Sequence, residues 1–332
     1  MTREVSRRYE DPLDRIWVSV AERIGLRIRR TAEAYATTDG RGTLWIGAPE
    51  TLDADDCLAQ MIFHELCHSL VQGPDSFERT DWGLDNEGVE DLGREHACLR
   101  VQATLGSRYG LRTVFAPTTD HRAVYDALPT DALAGTGAVL SLARLGVHRA
   151  SRPPWAPHLG DALRATAMIV QVTAPFAASP SLYEAWEPPR AAHPAGGWVH
   201  PDEGDRGCAS CAWRTERCVV RARDVQPEWP ACEAFVEVLD CRACGACCRE
   251  GFDVVEVEAD DPFTSRHESL LEKIDGRLVL RRLDGRCPPL TGDGRDTPFT
   301  CEVYEERPVS CREFERGGES CLEARRRVGL SV

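Results

Sequence analysis

His64-Glu65-Leu66-Cys67-His68 sets two imidazoles four residues apart with a carboxylate beside the first. Residues i and i+4 share one face of a helix, so both rings can grip a single divalent ion while Glu65 takes a proton from water at that metal. A catalytic zinc takes three protein ligands and keeps a fourth position open, so a further His or Glu is expected on a nearby second helix. Glu87, in Asn86-Glu87-Gly88-Val89-Glu90-Asp91, is the expected third ligand, and Asp91 lies one turn on along the same face. Zinc at this site would make the chemistry hydrolytic, with Glu65 as general base.

A second chemistry is written in sulfur. Twelve of the fifteen cysteines lie between Cys208 and Cys321. Without a secretory leader, such crowding points to metal thiolates in a reducing compartment and away from disulfides. Cys208, Cys211, Cys218 and Cys232 form one expected four-cysteine site. Cys241, Cys244, Cys247, Cys248, Cys287, Cys301, Cys311 and Cys321 follow. C-x2-C turns bring two thiolates to one metal, and the adjacent Cys247 and Cys248 are expected to point apart and serve different sites. Four-cysteine sets hold zinc or iron, including iron–sulfur clusters, and spacing alone does not choose between them.

The elements that must carry the histidines are readable. Asp53 is an expected N-cap, Asp55 and Asp56 fall in the first turn, and Gly73-Pro74 stops the helix. Phe63, Cys67 and Leu70 face the core, which makes Cys67 a buried small hydrophobe, while His64 and His68 share the other face with Cys57 and Met61. Before it, Pro12 to Ile24 has helical spacing, and strands are expected at Leu26 to Ala32 and Thr43 to Ala48. The second ligand helix is expected from Asp85 to Leu105, with Val89, Leu92, Leu99 and Ala103 as its apolar stripe. His96 falls on that stripe, roughly opposite Glu87, as a core histidine. Further helices are expected at Asp131 to Leu145 and Leu159 to Val172. Residues Trp186 to Arg206 read as a linker whose His193 and His200 are solvent-exposed loop histidines.

HExxH followed by N-E-x-x-x-D, over about residues 43 to 105, resembles the gluzincin metallopeptidases of the thermolysin type. The resemblance implies Glu87 as third zinc ligand and Asp91 as the carboxylate that orients a ligating histidine. It also implies a downstream His or Tyr that stabilises the oxyanion, a role left open among Tyr109, His121, Tyr125, His148 and His158. Cys241-x2-Cys244-x2-Cys247-Cys248 with Cys301-x2-Tyr304-x2-Arg307-Pro308-x2-Cys311-Arg312-x-Phe314 is similar to the YkgJ-type CxxCxxCC cysteine-cluster family, described as zinc- or iron-chelating.

The expected class is α+β: a zincin-like domain over residues 1–186, a linker over 187–206, and a small cysteine-rich metal-binding region over 207–332. That last region divides into the four-cysteine site of 207–240 and the CxxCxxCC module of 241–321. A net charge of −14 argues against general nucleic-acid binding, and a single lysine, Lys273, against lysine-based covalent chemistry. The longest apolar stretch, around Ala167 to Ala178, is too short to span a bilayer, so a cytoplasmic protein is expected. Together these imply a zinc-dependent hydrolase of metallopeptidase type acting on a peptide or protein. The alternative is a metal-handling or iron–sulfur protein, including a redox or modifying enzyme, with the HExxH domain as accessory.

Overall fold

The computed structural model describes residues 6–85, 91–118, 121–202, 204, 206–294 and 296–331. Helices and small sheets are mixed, as an α+β class requires, in two compact units, Met1–Ala191 and Ala192–Val332. The division falls five residues beyond the expected end of the first domain.

In the first unit, α1 (Pro12–Ile24) begins where the Asp11 carboxylate accepts hydrogen bonds from the Leu13 and Asp14 N–H groups, with Pro12 at the first helical position. Trp17, Val20, Ala21 and Ile24 bury one face. A three-stranded sheet follows, of β1 (Arg27–Thr31), β2 (Ala36–Thr38) and β3 (Thr43–Gly47), in the order β1-β3-β2. β3 runs parallel to β1 and antiparallel to β2, with Leu44 and Ile46 turned into the core.

The HELCH segment lies in α2 (Leu58–Gln72). Its N-cap is Cys57, not Asp53: the Asp53 N–H donates to the Asp56 carboxylate at 2.9 Å, closing a separate turn, and Cys57 Sγ then accepts from Gln60 N–H at 3.4 Å. α3 (Leu92–Arg108) stands where a second ligand helix is expected, and its described part begins seven residues later than the expected start at Asp85. Leu92, placed in the apolar stripe by sequence, is 45% exposed, whereas Leu99 and Ala103 are buried with Ala116, Tyr125 and Ala132.

α4 (Arg122–Asp126), α5 (Ala138–Arg149) and α6 (His158–Thr173) complete the unit. α5 starts later than the expected Asp131 because Gly135 and Gly137 adopt φ of 101° and 120°, a region that ends helical continuity. Trp17, Phe63 and Phe115 form an aromatic triad with ring centroids 5.3 to 5.4 Å apart, joining α1 to α2. Trp17 donates to Thr166 of α6 at 3.0 Å, and Trp155 donates to Ser69 of α2 at 2.9 Å. Arg149, at the end of α5, donates to the Leu70 and Val71 carbonyls at 2.6 and 2.7 Å, satisfying free acceptors at the end of α2.

The second unit has little regular structure. It contains α7 (Cys241–Cys244), α8 (Pro262–Arg266), α9 (Val309–Arg312) and α10 (Glu319–Arg327). β4 (Val255–Glu256), β5 (Leu271–Ile274) and β6 (Arg277–Leu280) pair antiparallel in the order β4-β6-β5, and β7 (Leu290–Thr291) pairs with β8 (Thr300–Cys301). β5 and β6 are joined through Asp275-Gly276, both at positive φ, as a two-residue hairpin requires. Its apolar groups gather in three small clusters, around Phe263, Trp213 and Ala324, and cysteines pack in or against each. Among the described residues, no helix is long and apolar enough to cross a membrane.

Candidate metal centres

α2 and α3 run antiparallel, with His68 facing Glu95 and His64 facing Gln102. His64 Nε2 and His68 Nε2 are 3.2 Å apart. Glu95 closes the group, 3.2 Å from His68 Nε2 and 3.7 Å from His64 Nε2. Two ligands bonded at about 2.0–2.1 Å to one tetrahedral zinc stand roughly 3.3 Å apart, so the edges of this triangle fit a zinc coordination sphere. Glu95 Oε1, on the side of the carboxylate toward His64, is buried without a hydrogen-bond partner, as polar atoms are where a further binding partner belongs.

The supporting groups are consistent with that use. His64 Nδ1 lies 2.8 Å from Gln102 Oε1. Gln102 is itself oriented by donating from Nε2 to the Phe115 carbonyl, so its oxygen accepts from Nδ1–H and Nε2 is left with a lone pair for a metal. Burial favours neutral His68, but the hydrogen bond and charge of Glu95, with the charge of Glu65, outweigh it and raise the imidazole above its ordinary value. Burial likewise pushes the Glu95 carboxyl up, yet its bond to His68 and the charges of His68, His64 and His121 hold it down at about 2.

Glu65 is buried and its Oε2 accepts from Trp82 Nε1 at 2.8 Å. Trp82 reaches it from a turn in which Asp81 and Trp82 have φ of 49° and 59°, a strained region for non-glycine residues. Asp81 anchors that turn to β2 by accepting from Thr37 Oγ1 at 2.6 Å and from Thr38 N–H at 3.0 Å.

Two donors were absent from the sequence reading. Glu95 and Cys98 lie with His64 and His68 in a set whose donor atoms are all within 4.8 Å of one another. Cys98 sits on the Nδ1 side of His64, at 3.9 Å, and donates to the His64 carbonyl. Burial, then the Glu95 charge, pushes its thiol well above the ordinary range. Cys67 is fully buried and its thiol is raised in the same way. Glu87 lies outside the described residues. Asp91 accepts from Asp85 N–H at 2.6 Å and pairs with Arg94 at 3.4 Å, while Gln102 contacts His64 in the orienting position expected for Asp91. His96 is half-buried.

In the second unit, Cys208, Cys211, Cys218 and Cys232 line one small cavity together with His193, Arg214 and Arg221. His193, expected to be an exposed loop residue, is 4% exposed. The reason is backbone pairing that composition does not reveal: His193 N–H donates to Gly197 at 2.9 Å, Glu233 N–H to Trp198 at 3.1 Å and His200 N–H to Ala231 at 2.8 Å.

The remaining eight cysteines sort into two neighbourhoods. Cys248 and Cys287 are tied by the Cys287 N–H bond to the Cys248 carbonyl at 2.9 Å, and Cys301 and Cys311 act electrostatically on Cys287. Cys241 feels Cys244, Cys321 and Cys248, and Cys247 feels Cys248, Cys241 and Cys244, so the two neighbourhoods overlap at Cys248. Cys247 and Cys248, expected to point apart, instead bring their sulfurs to within 3.9 Å of each other where the groups adjoin. The hydrogen bond shared with Cys247 and, against burial, the cations Arg282 and Arg307 lower the Cys248 thiol.

Residues 240–327 match the family CxxCxxCC, described as a putative zinc- or iron-chelating domain. The matched segment contains the Cys241–Cys321 set and begins after Cys232. No curated protein and no solved structure matches the chain. Metal binding through zinc or iron is therefore the class of function that the C-terminal cysteines carry.

Proposed function

We propose that the chain is a zinc-dependent hydrolase of metallopeptidase type with a cysteine-cluster metal-binding module at its C-terminal end. The observation that carries this reading is the group of His64 Nε2, His68 Nε2 and the Glu95 carboxylate, with the two nitrogens 3.2 Å apart, Oε2 3.2 Å from His68 and Oε1 3.7 Å from His64, and with Glu65 on the same helix as the histidines. Zinc held there would polarise a substrate carbonyl and lower the pKa of water to about 7. Gln102 fixes the His64 ring, and Glu65, positioned by Trp82, receives the proton of the attacking water. A peptide is the substrate class the HExxH resemblance implies. The free thiols suit a reducing, cytoplasmic setting.

The test is a peptide-library cleavage assay on the zinc-loaded chain beside Glu65→Gln and His64→Ala. Cleavage by the wild type alone supports the reading. Cleavage that persists in Glu65→Gln at the wild-type rate overturns it.

The family match of residues 240–327 favours a second reading, in which the protein handles metal or carries an iron–sulfur centre and the helix-pair site is accessory. Anaerobic purification followed by elemental analysis separates the two. Iron with acid-labile sulfide and no hydrolysis favours the second; zinc with hydrolysis favours the first.

A further inference from the structure

We infer that Cys208, Cys211, Cys218 and Cys232 hold a single zinc-class ion in a four-thiolate site that lies outside the matched domain, and that His193 serves this site as a hydrogen-bond donor to Cys208, not as a ligand. Cys208 and Cys211 share one turn, and Cys218 and Cys232 come from other segments that line the same cavity. Cys208 N–H donates to the Trp229 carbonyl at 2.9 Å, and Cys218 N–H to the Arg223 carbonyl at 2.9 Å. Cys232 lies on the segment 229–233, which pairs with Gly207 through Pro230 on one side and with Val199 through Cys232 on the other.

The cavity is small and is lined by all four cysteines. Four thiolates leave an excess of negative charge on a divalent ion, and Arg214 and Arg221 line the same cavity to offset it. A single tetrahedral ion among four sulfurs is the arrangement of structural zinc.

The role of His193 follows from its two ring nitrogens. Ala195 N–H donates to Nδ1 at 3.0 Å, so Nδ1 carries no proton. Nε2 lies 2.9 Å from the Pro230 carbonyl, which can only accept, so Nε2 carries the hydrogen and has no lone pair for a metal. Cys208 Sγ stands 3.7 Å from the same Nε2–H. The Nε2–H donates to Pro230 and lies near enough to be shared with Cys208 Sγ; an N–H shared with a ligand sulfur would stabilise the thiolate and lower its nucleophilicity, which makes His193 a positioning residue.

The experiment is alkylation of the full chain with iodoacetamide, with each cysteine followed by peptide mass spectrometry, before and after a strong chelator. Parallel elemental analysis compares wild type, Cys211→Ala and His193→Gln. The inference expects Cys208, Cys211, Cys218 and Cys232 to be protected together and to react together once metal is removed. Cys211→Ala should expose the other three and lower zinc by one equivalent per chain. His193→Gln should keep that zinc but label Cys208 several-fold faster. Independent labelling of the four, loss of iron and sulfide in place of zinc in Cys211→Ala, or loss of the ion in a folded His193→Gln would each overturn the assignment. If His193→Gln does not fold, the chelator and Cys211→Ala arms decide the four-thiolate site, and resistance of Cys208 to alkylation after metal removal counts against it.

Discussion

His68 and Glu95 face each other across α2 and α3, Nε2 to carboxylate oxygen at 3.2 Å, and each shifts the other's proton equilibrium. The imidazole is raised and the carboxyl is lowered. In the absence of metal they form a partly buried ion pair; with metal they present two ligand atoms.

The pair gives the first unit a pH signature. A lowered carboxyl stabilises the fold above its ordinary value of 4.5, and that contribution is lost as pH falls toward about 2. A raised imidazole stabilises the fold below 6.5, and that contribution is lost as pH rises through its shifted value. A metal-free fragment of residues 1–191 should therefore be most heat-stable between about pH 4.5 and 6.5. Thermal melts across pH check this. Glu95→Gln should flatten the profile, and an unflattened one would remove the pair as its cause.

Glu95→Ala should reduce zinc affinity at the His64–His68 site by at least about 10-fold, because a ligand lost costs no less than an outer partner lost. Competitive titration with a chromophoric chelator on the same fragment measures it. If Glu95→Ala binds zinc as tightly as wild type, the third ligand lies elsewhere, with Glu87 the next position to substitute.

Gln102→Leu should weaken zinc by about 10- to 100-fold while leaving all three ligands in place, since it removes the acceptor that holds the His64 tautomer. It should also destabilise the fold by about 1–3 kcal/mol by leaving the buried Phe115 carbonyl without its donor. Denaturant titration of the zinc-free fragment separates the two effects.

Glu65→Gln should retain zinc and lose about 10²–10⁴-fold in hydrolysis, as expected for removal of a general base. The amide oxygen can still accept from Trp82, so the loss should come without a change in melting temperature. A variant with both activity and zinc intact would reassign Glu65 to a structural bond with the indole.

Residues 192–332 should fold only when metal is supplied. Their apolar clusters are small and incorporate cysteines, whereas a structural zinc can contribute about 10–16 kcal/mol of apparent folding free energy. Circular dichroism of this segment before and after verified metal removal is the measurement. A cooperative melt that survives removal would show that the small clusters suffice.

Much of this was legible because it is local. Asp11-Pro12 marks the start of α1, and Gly73-Pro74 the end of α2, through capping rules that need no tertiary knowledge. The HExxH spacing puts both histidines on one helix face wherever the helix lies. Glu95 was hidden because its selection depends on the phase of α3 against α2. The available signal was Glu95, Cys98 and Gln102 at i, i+3 and i+7, a polar line on a helix that is otherwise well buried. His193 was hidden for a different reason: its burial depends on pairing with residues near 230, and a Pro- and Gly-rich composition carries no trace of that partner.

Gly146 on α5 lies against both ligand helices. A β-carbon there would stand 2.8 Å from Val101 Cγ2 of α3 and 3.5 Å from the Leu70 carbonyl carbon of α2. The gap between the helices is thus set from outside the site, by a residue that touches no ligand. If zinc is held between donors about 3.2 Å apart, one added methyl at 146 should act as a wedge, opening the polygon toward larger ions without altering any donor.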